Sequence, residues 1–266
     1  MKVGIVGFGS IGFDVGKKID QGIDNFSLAG ITSRTEINVL NKLVHFKNKP
    51  PFLKLEDLCQ ESDVIIDCAP KEAFEEILQN CISKGLKLIT VSGSGILENF
   101  ELIKKANRYK TQVTLASGAI IGLDGLKAAS EGKIFSVKMV TIKPPNALIN
   151  AKYVIQNNIE LLNLSKSKLI FKGSAAEGAK AFPANVNVAA AIGLAGVGPE
   201  KTKLEIWADP KITKNTHKVT VKSDSSDFEI KIQNIQSKDN PGTGKITALS
   251  IIASLRDLTA SLKTGT

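Results

Sequence analysis

Aromatic side chains are scarce, with one Trp, two Tyr and 11 Phe in 266 residues. The core must therefore come mainly from Ile, Val, Leu and Ala. Cysteine is scarcer: Cys59, Cys68 and Cys81 are an odd number, with no C-x-x-C spacing and no neighbouring His. That argues against a disulfide framework and a zinc site, and fits a reducing cytoplasm. Histidine occurs only as His45 and His217, so imidazole chemistry has just these two candidates. The net charge is +9, yet no run of Lys or Arg exceeds two and no aromatics interleave with them. Such scattered charge reads as solvated surface that steers acidic small molecules, with no nucleic-acid footprint. Ala181 to Pro199 carries no charge over 19 residues, but Pro183, Asn185, Asn187, Gly193, Gly196, Gly198 and Pro199 interrupt it. It reads as a buried helix lining a site, and no membrane span is expected. Met1 leads straight into a strand, which leaves no room for a signal peptide.

What is present begins at the N-terminus. Lys2 to Val6 is an apolar, β-branched run, followed by Gly7-Phe8-Gly9-Ser10-Ile11-Gly12 and then by helical spacing at Ile11, Val15 and Ile19. Strand, G-x-G-x-x-G and helix form the dinucleotide fingerprint in its proper context. Gly7 would make the tight turn, Gly9 would admit a pyrophosphate, and Gly12 would let helix and strand pack closely. The fingerprint expects an acid about 20 positions later to hold the ribose of NAD. Thr32-Ser33-Arg34-Thr35 stands there instead, and the first carboxylate is Glu36. The hydroxyl of Ser33 and the guanidinium of Arg34 suit a 2′-phosphate, so NADP is slightly favoured over NAD.

Strands and helices then alternate. Asp63 to Asp67 reads as a buried parallel strand whose end, Cys68-Ala69-Pro70, borders the cofactor through Ala69 and Pro70. Lys71 to Lys84 reads as a helix, Leu86 to Val91 as a strand, Ser92 to Gly95 as a loop, and Glu98 to Tyr109 as a helix. After Ser117-Gly118 the pattern changes. Short alternating runs at 134–142, 168–171, 203–208, 218–221 and 228–232 are consistent with a mixed or antiparallel sheet that has one solvated face. Helices are expected at Ala175 to Phe182 and Val186 to Ala195, with Ser174 and Asn185 as caps. A last helix follows Asn240-Pro241-Gly242-Thr243, with Ile246, Leu249, Ile252, Ala253, Leu258 and Leu262 as its apolar face. The fold class is α/β: an N-terminal Rossmann doubly wound parallel sheet plus a second α+β domain with a mixed sheet. Residues 1–118 and 241–266 form the nucleotide domain, and residues 119–240 the substrate, catalytic and dimerisation domain.

Four motifs of the second half resemble the L-aspartate dehydrogenases. They are Ser117-Gly118-Ala119-Ile120 with Gly122-Leu123-Asp124; Thr141-Ile142-Lys143-Pro144-Pro145; Phe182-Pro183-Ala184-Asn185-Val186-Asn187-Val188-Ala189-Ala190; and Ala208-Asp209-Pro210 with Asn215-Thr216-His217, and the closing Asn240-Pro241-Gly242-Thr243 with its helix also resembles that family. With the glycine fingerprint, the similarity covers nearly the whole chain. It implies NAD(P)-dependent oxidative deamination of L-aspartate to iminoaspartate, which water converts to oxaloacetate and ammonia, or the reverse, with a place in NAD biosynthesis. It implies His217 as the catalytic base, Ala119 and Asn187 or Asn185 as cofactor contacts, and a homodimer.

A base with a pKa near 7 does such proton work best, and His meets that with little tuning. His45 lacks any surrounding motif and reads as structural or surface. Substrate carboxylates need cationic or N–H donors, for which Lys143 and Lys180 lie near matched motifs. No metal is expected. Two other readings remain open from the sequence: another NADP-linked reductase of a small acid or imine on the same scaffold, and a nucleotide sensor without turnover.

Overall fold

The structure is a computed structural model that describes residues 1–182, 187–237 and 244–265. Two compact units divide the chain: Met1–Gly118 with Thr247–Lys263, and Ala119–Ile246 with 264–266.

In the first unit, strands β1 (Lys2–Val6), β2 (Ser27–Thr32), β3 (Val64–Asp67), β4 (Lys87–Thr90) and β5 (Val113–Leu115) form one sheet in the order β2-β1-β3-β4-β5. All its pairings are parallel. Parallel strands need crossovers, supplied by α1 (Ser10–Asp20), α2 (Glu36–Leu43), α3 (Leu55–Gln60), α4 (Phe74–Lys84), α5 (Gly93–Glu98) and α6 (Phe100–Ala106). The strands are nearly continuous apolar runs because both faces are covered. Val3, Ile5, Ile31, Val64 and Ile66 share a core with Val15 and Ile19 of α1. Strand order reverses at β1, so the crevice outside the carboxyl ends of β1 and β3 is the topological switch point.

One local expectation changes, and one helix is added. Helix starts at Gly93, inside the expected loop, because Ser92 Oγ accepts the Gly95 N–H at 3.3 Å and caps the turn. Gly95 fits there because a Cβ would lie 2.7 Å from Phe74 Cγ. Helix α2 follows the Thr32–Thr35 loop and buries Val39 and Leu43, one helical turn apart.

The second unit contains α7 (Leu123–Ser130), β6 (Ile134–Lys143), α8 (Lys152–Gln156), β7 (Lys168–Ser174), α9 (Ala175–Ala181), α10 (Asn187–Ala195), β8 (Lys203–Ala208), β9 (Thr216–Ser223) and β10 (Asp227–Gln233). Its sheet has the order β10-β9-β6-β8-β7. It is mixed: β6 runs parallel to β8 and antiparallel to β9, while β9–β10 and β7–β8 are antiparallel. Ser174 begins α9 with a reciprocal capping box, its Oγ taking the Glu177 N–H at 3.1 Å while Glu177 takes the Ser174 N–H at 2.7 Å.

The last helix, α11 (Ile246–Asp257), returns to the first unit and buries Ala248, Ile251, Ile252 and Leu255 in its core. Leu249 and Leu262, expected on the buried face, are 60% and 78% exposed. Asn240-Pro241-Gly242-Thr243, the expected start of this helix, lies outside the described residues.

Candidate active site

The first group of predicted residues gathers at the carboxyl ends of β1, β2 and β3. Gly7 has φ +86°, and its N–H donates to Thr32 O at 2.9 Å, which ties the glycine turn to the end of β2. A Cβ on Gly7 would lie 2.6 Å from Ala69 N, so the turns after β1 and β3 touch. Gly12 is buried with its Cα against the Gly7 carbonyl. Gly9 is exposed, and a Cβ there would meet nothing within 4 Å. Phe8 differs: its ring is 4% exposed and packs against Phe13 and Phe46, so only its backbone faces the turn. Ser10 and Ile11 open α1, Ser33 is half-buried, and Arg34 is exposed.

Behind this crevice lies a carboxylate that no sequence motif marked. Asp67, at the end of β3, is 1% exposed. Its Oδ2 accepts from Thr90 Oγ1 at 2.7 Å and its Oδ1 from the Ala69 N–H at 2.9 Å. Burial pushes its pKa up to about 6 against the lowering effect of both hydrogen bonds. Thr90 Oγ1 also accepts the Ser92 N–H at 2.9 Å, so the Cys68–Pro70 turn is braced to the cap of α5. Burial and then the Asp67 charge push the Cys68 thiol upward, away from the thiolate a nucleophile requires.

The second group lies in the second unit, on the inward face of its sheet. Met139, Val219 and Ile230 form one rung across β6, β9 and β10. The next rung is Thr141, His217 and Ile232. One step further, Lys143 of β6 falls level with Asn215, whose carbonyl accepts the Asn234 N–H at 2.8 Å. Because side chains alternate along a strand, Lys143, Asn215 and Asn234 share a face with Thr141 and His217. An apolar face thus ends in a buried polar row: Thr141, Lys143, Asn215, His217 and Asn234 are all at most 5% exposed. Residues 124–258 match the family described as aspartate dehydrogenase, C-terminal, and residues 7–116 match homoserine dehydrogenase, NAD binding domain. An L-aspartate dehydrogenase of Bradyrhizobium diazoefficiens is 41% identical over 266 residues, covering 100% of this chain and 94% of that one.

The chain belongs to the L-aspartate dehydrogenase family.

A further L-aspartate dehydrogenase, from Methanococcoides burtonii, is 34% identical with both chains covered in full, 100% each. The crystal structure of aspartate dehydrogenase from Thermotoga maritima superposes with TM-score 0.74 at 27% identity, covering 100% of this chain and 99% of that one. A homoserine dehydrogenase from Thiobacillus denitrificans has TM-score 0.62 at 14% identity, covering 97% and 73%, which is likeness of fold alone.

Within the family's C-terminal half, His217 sits near the start of β9 with Nδ1 3.1 Å from Thr141 Oγ1. Burial, and after it the charge of Lys143, hold the imidazole down at about pKa 3. This corrects the expectation of a base poised near 7: a desolvated ring beside an ammonium resists a second charge. Lys143 in turn is pushed down to about 8 by its own burial. Lys180, the other predicted carboxylate partner, is exposed in the last turn of α9. His45 is exposed in the turn after α2. Ala119 is half-buried, and its carbonyl accepts from Asn234 Nδ2 at 3.0 Å. Asn187 opens α10, while Asn185 lies outside the described residues. Among the described residues, no cluster of His, Cys, Asp or Glu could hold a metal, and no helix is long and apolar enough to cross a membrane.

Proposed function

We propose that this chain catalyses the NAD(P)-dependent oxidative deamination of L-aspartate to iminoaspartate, or the reverse amination of oxaloacetate. The observation that carries this reading is the buried row of Thr141, His217 and Lys143 inside the half that matches the aspartate dehydrogenases.

A dinucleotide fits the first unit. The space over Gly9 is open, the Gly7 turn is left-handed, and Gly9 as N-cap brings no side chain over the first turn of α1. The N–H groups of that turn would hold the pyrophosphate. The family resemblance adds Ala119 and Asn187 as cofactor contacts. A bound nicotinamide would supply the acceptor for the hydride that leaves Cα of aspartate.

The protein's own part is proton and charge management. His217 is neutral in the resting site, so it takes a proton from the substrate amine without first losing one. For Nε2 to act as that base, Nδ1–H must donate to Thr141 Oγ1. Lys143 pairs with a substrate carboxylate, and that pairing offsets the lesser of the two causes, after burial, that depress the imidazole. Substrate binding therefore raises the basicity of His217 when it is needed. Lys180, being exposed, is a rim cation at most.

The test is absorbance of reduced nicotinamide with oxaloacetate and ammonium. Oxidation requiring both supports the reading. Oxidation without ammonium would mark a keto-acid reductase, and binding without turnover a sensor. Run with NADH and NADPH, the assay also tests Arg34, which we read as the 2′-phosphate contact. Arg34→Ala should weaken NADPH about tenfold, as a lost charge-assisted contact would, while leaving NADH unchanged. Equal loss for both cofactors would remove that role.

We also read the protein as a cytoplasmic homodimer joined through the open face of the second sheet. The half-exposed Val140, Ile142 and Trp207 lie there between the Lys138–Glu205 and Lys218–Glu229 pairs, each 2.9 Å. Light scattering should give twice the chain mass, and an aspartate on Ile142 should halve it.

A further inference from the structure

The polar end of the second sheet contains two buried carbonyl oxygens for which none of the described residues supplies a donor. Among the described residues, Asn215 Oδ1 and Asn234 Oδ1 have no hydrogen-bond partner, in residues only 5% and 3% exposed. The Asn234 amide cannot turn round to cure this, because its Nδ2 is committed to Ala119 O at 3.0 Å. The two residues stand side by side, joined by the Asn234 N–H to Asn215 O bond of 2.8 Å. Asn215 is two residues before His217 on the same face, and Lys143 lies level with it on β6. Buried acceptors are nearly always paired. Two adjacent orphans beside a buried base and a buried ammonium therefore call for a ligand that brings N–H groups.

We propose that Asn215 and Asn234 form the amine subsite, their Oδ1 atoms accepting N–H bonds from the substrate amine in deamination and from ammonia in amination. The inference rests on the dehydrogenase reading above. Of the substrate's groups, only the amine is rich in donors. A carboxylate or keto oxygen placed on this pair would bring acceptor against acceptor, and those groups are served by Lys143. An ammonium group has three N–H bonds, two for the asparagines and one for His217. In the proton step, that third N–H bond breaks and an N–H bond forms on the imidazole. The electron pair stays on the amine nitrogen, so the amine becomes neutral and His217 becomes imidazolium. The pair also selects against hydroxy acids, whose single O–H cannot satisfy two acceptors.

Asn215→Leu keeps the side-chain volume and removes the orphan. In the amination assay its KM for ammonium should rise about tenfold to a hundredfold, the effect of a lost hydrogen bond to a charged group. KM for oxaloacetate and the Kd for NADPH should stay within about twofold, and Tm should not fall, since a buried unsatisfied acceptor is gone. Asn215→Asp retains an acceptor oxygen and should recover part of the ammonium affinity lost in the leucine variant; where the leucine variant fails to fold, Asn215→Ala replaces it with the same readouts. An unchanged ammonium KM in the folded variant overturns the subsite, because a purely structural asparagine would give that result. If the unaltered protein shows no ammonium-dependent oxidation at all, the activity reading itself has failed, and the subsite with it.

Discussion

Replacing His217 with alanine should lower turnover by about 10²- to 10⁴-fold, the usual contribution of a general base, with NADPH binding intact. The cofactor cradle of Gly7, Gly9 and Gly12 belongs to the first unit and His217 to the second, so the two effects separate. A variant that keeps turnover within tenfold would send the search for the base elsewhere. The pH behaviour carries more information. In the folded protein the imidazole titrates at about 3, against an ordinary value of 6.5. Between those values the unfolded chain binds a proton that the native chain does not, so this group makes stability rise with pH and fall as pH drops from about 6.5 toward 3. Asp67 acts oppositely: its folded value of about 6 lies above 3.8, so over that span the native chain holds the extra proton and stability falls as pH rises. Asp67 remains in both proteins, and the difference between parent and His217→Ala melting curves isolates the histidine. Below about pH 6.5 the parent should lose stability that His217→Ala does not, so the parent's Tm should fall relative to the variant's. Adding succinate, a dicarboxylate without an amine, should move the His217 imidazole titration upward by NMR. Lys143→Met should abolish that dependence, because no ammonium then remains for the carboxylate to neutralise.

The nucleotide half was legible because its physics is local. Gly7, Gly9 and Gly12 each answer a demand made within a few residues, and continuous apolar runs such as Val64–Asp67 announce strands covered on both faces. The site in the second half was legible only where a motif named it. His217 was reached through resemblance, and Lys143 was indistinguishable from Lys180 until strand pairing placed one beside His217 and left the other in solvent. Asn234 had no signal at all. It is brought to Asn215 by the antiparallel register of β9 and β10, a non-local property that no spacing records. The depressed pKa of His217 is likewise invisible in sequence, since desolvation depends on what covers a residue. Helix α11 failed differently. Ile246, Leu249, Ile251, Ile252 and Leu255 surround much of its circumference, so the pattern allowed more than one buried face. Packing against β1 and α1 chose the one with Ala248, Ile251 and Leu255.

Gly9→Ala and Gly12→Ala should fail in opposite ways, although both alter the same motif. Gly9 has φ −72°, which any residue adopts, and open space where its Cβ would go. The methyl group costs the apo fold nothing, yet it occupies the place where the pyrophosphate must approach the backbone. Its melting temperature should match the parent, while cofactor affinity should fall about tenfold to a hundredfold, ~1.4–2.7 kcal/mol. At Gly12 the Cβ would land on the Gly7 carbonyl oxygen, with Ile5 Cγ2 at 3.3 Å behind it. Backbone cannot yield as a side-chain tip can, so α1 must move away from β1. Overpacking of this kind costs about 1–3 kcal/mol, which lowers Tm by roughly 3–10 °C in a domain of this size. Saturating NADPH should recover little of that loss, because a displaced α1 no longer presents its N-terminus to the phosphates. Thermal melts with and without NADPH separate the two variants in one experiment. A parent-like NADPH shift in Gly9→Ala would mean that the phosphates do not cross Gly9. The cradle assigned to this turn would then have to move along the crevice toward Ala69 and Pro70.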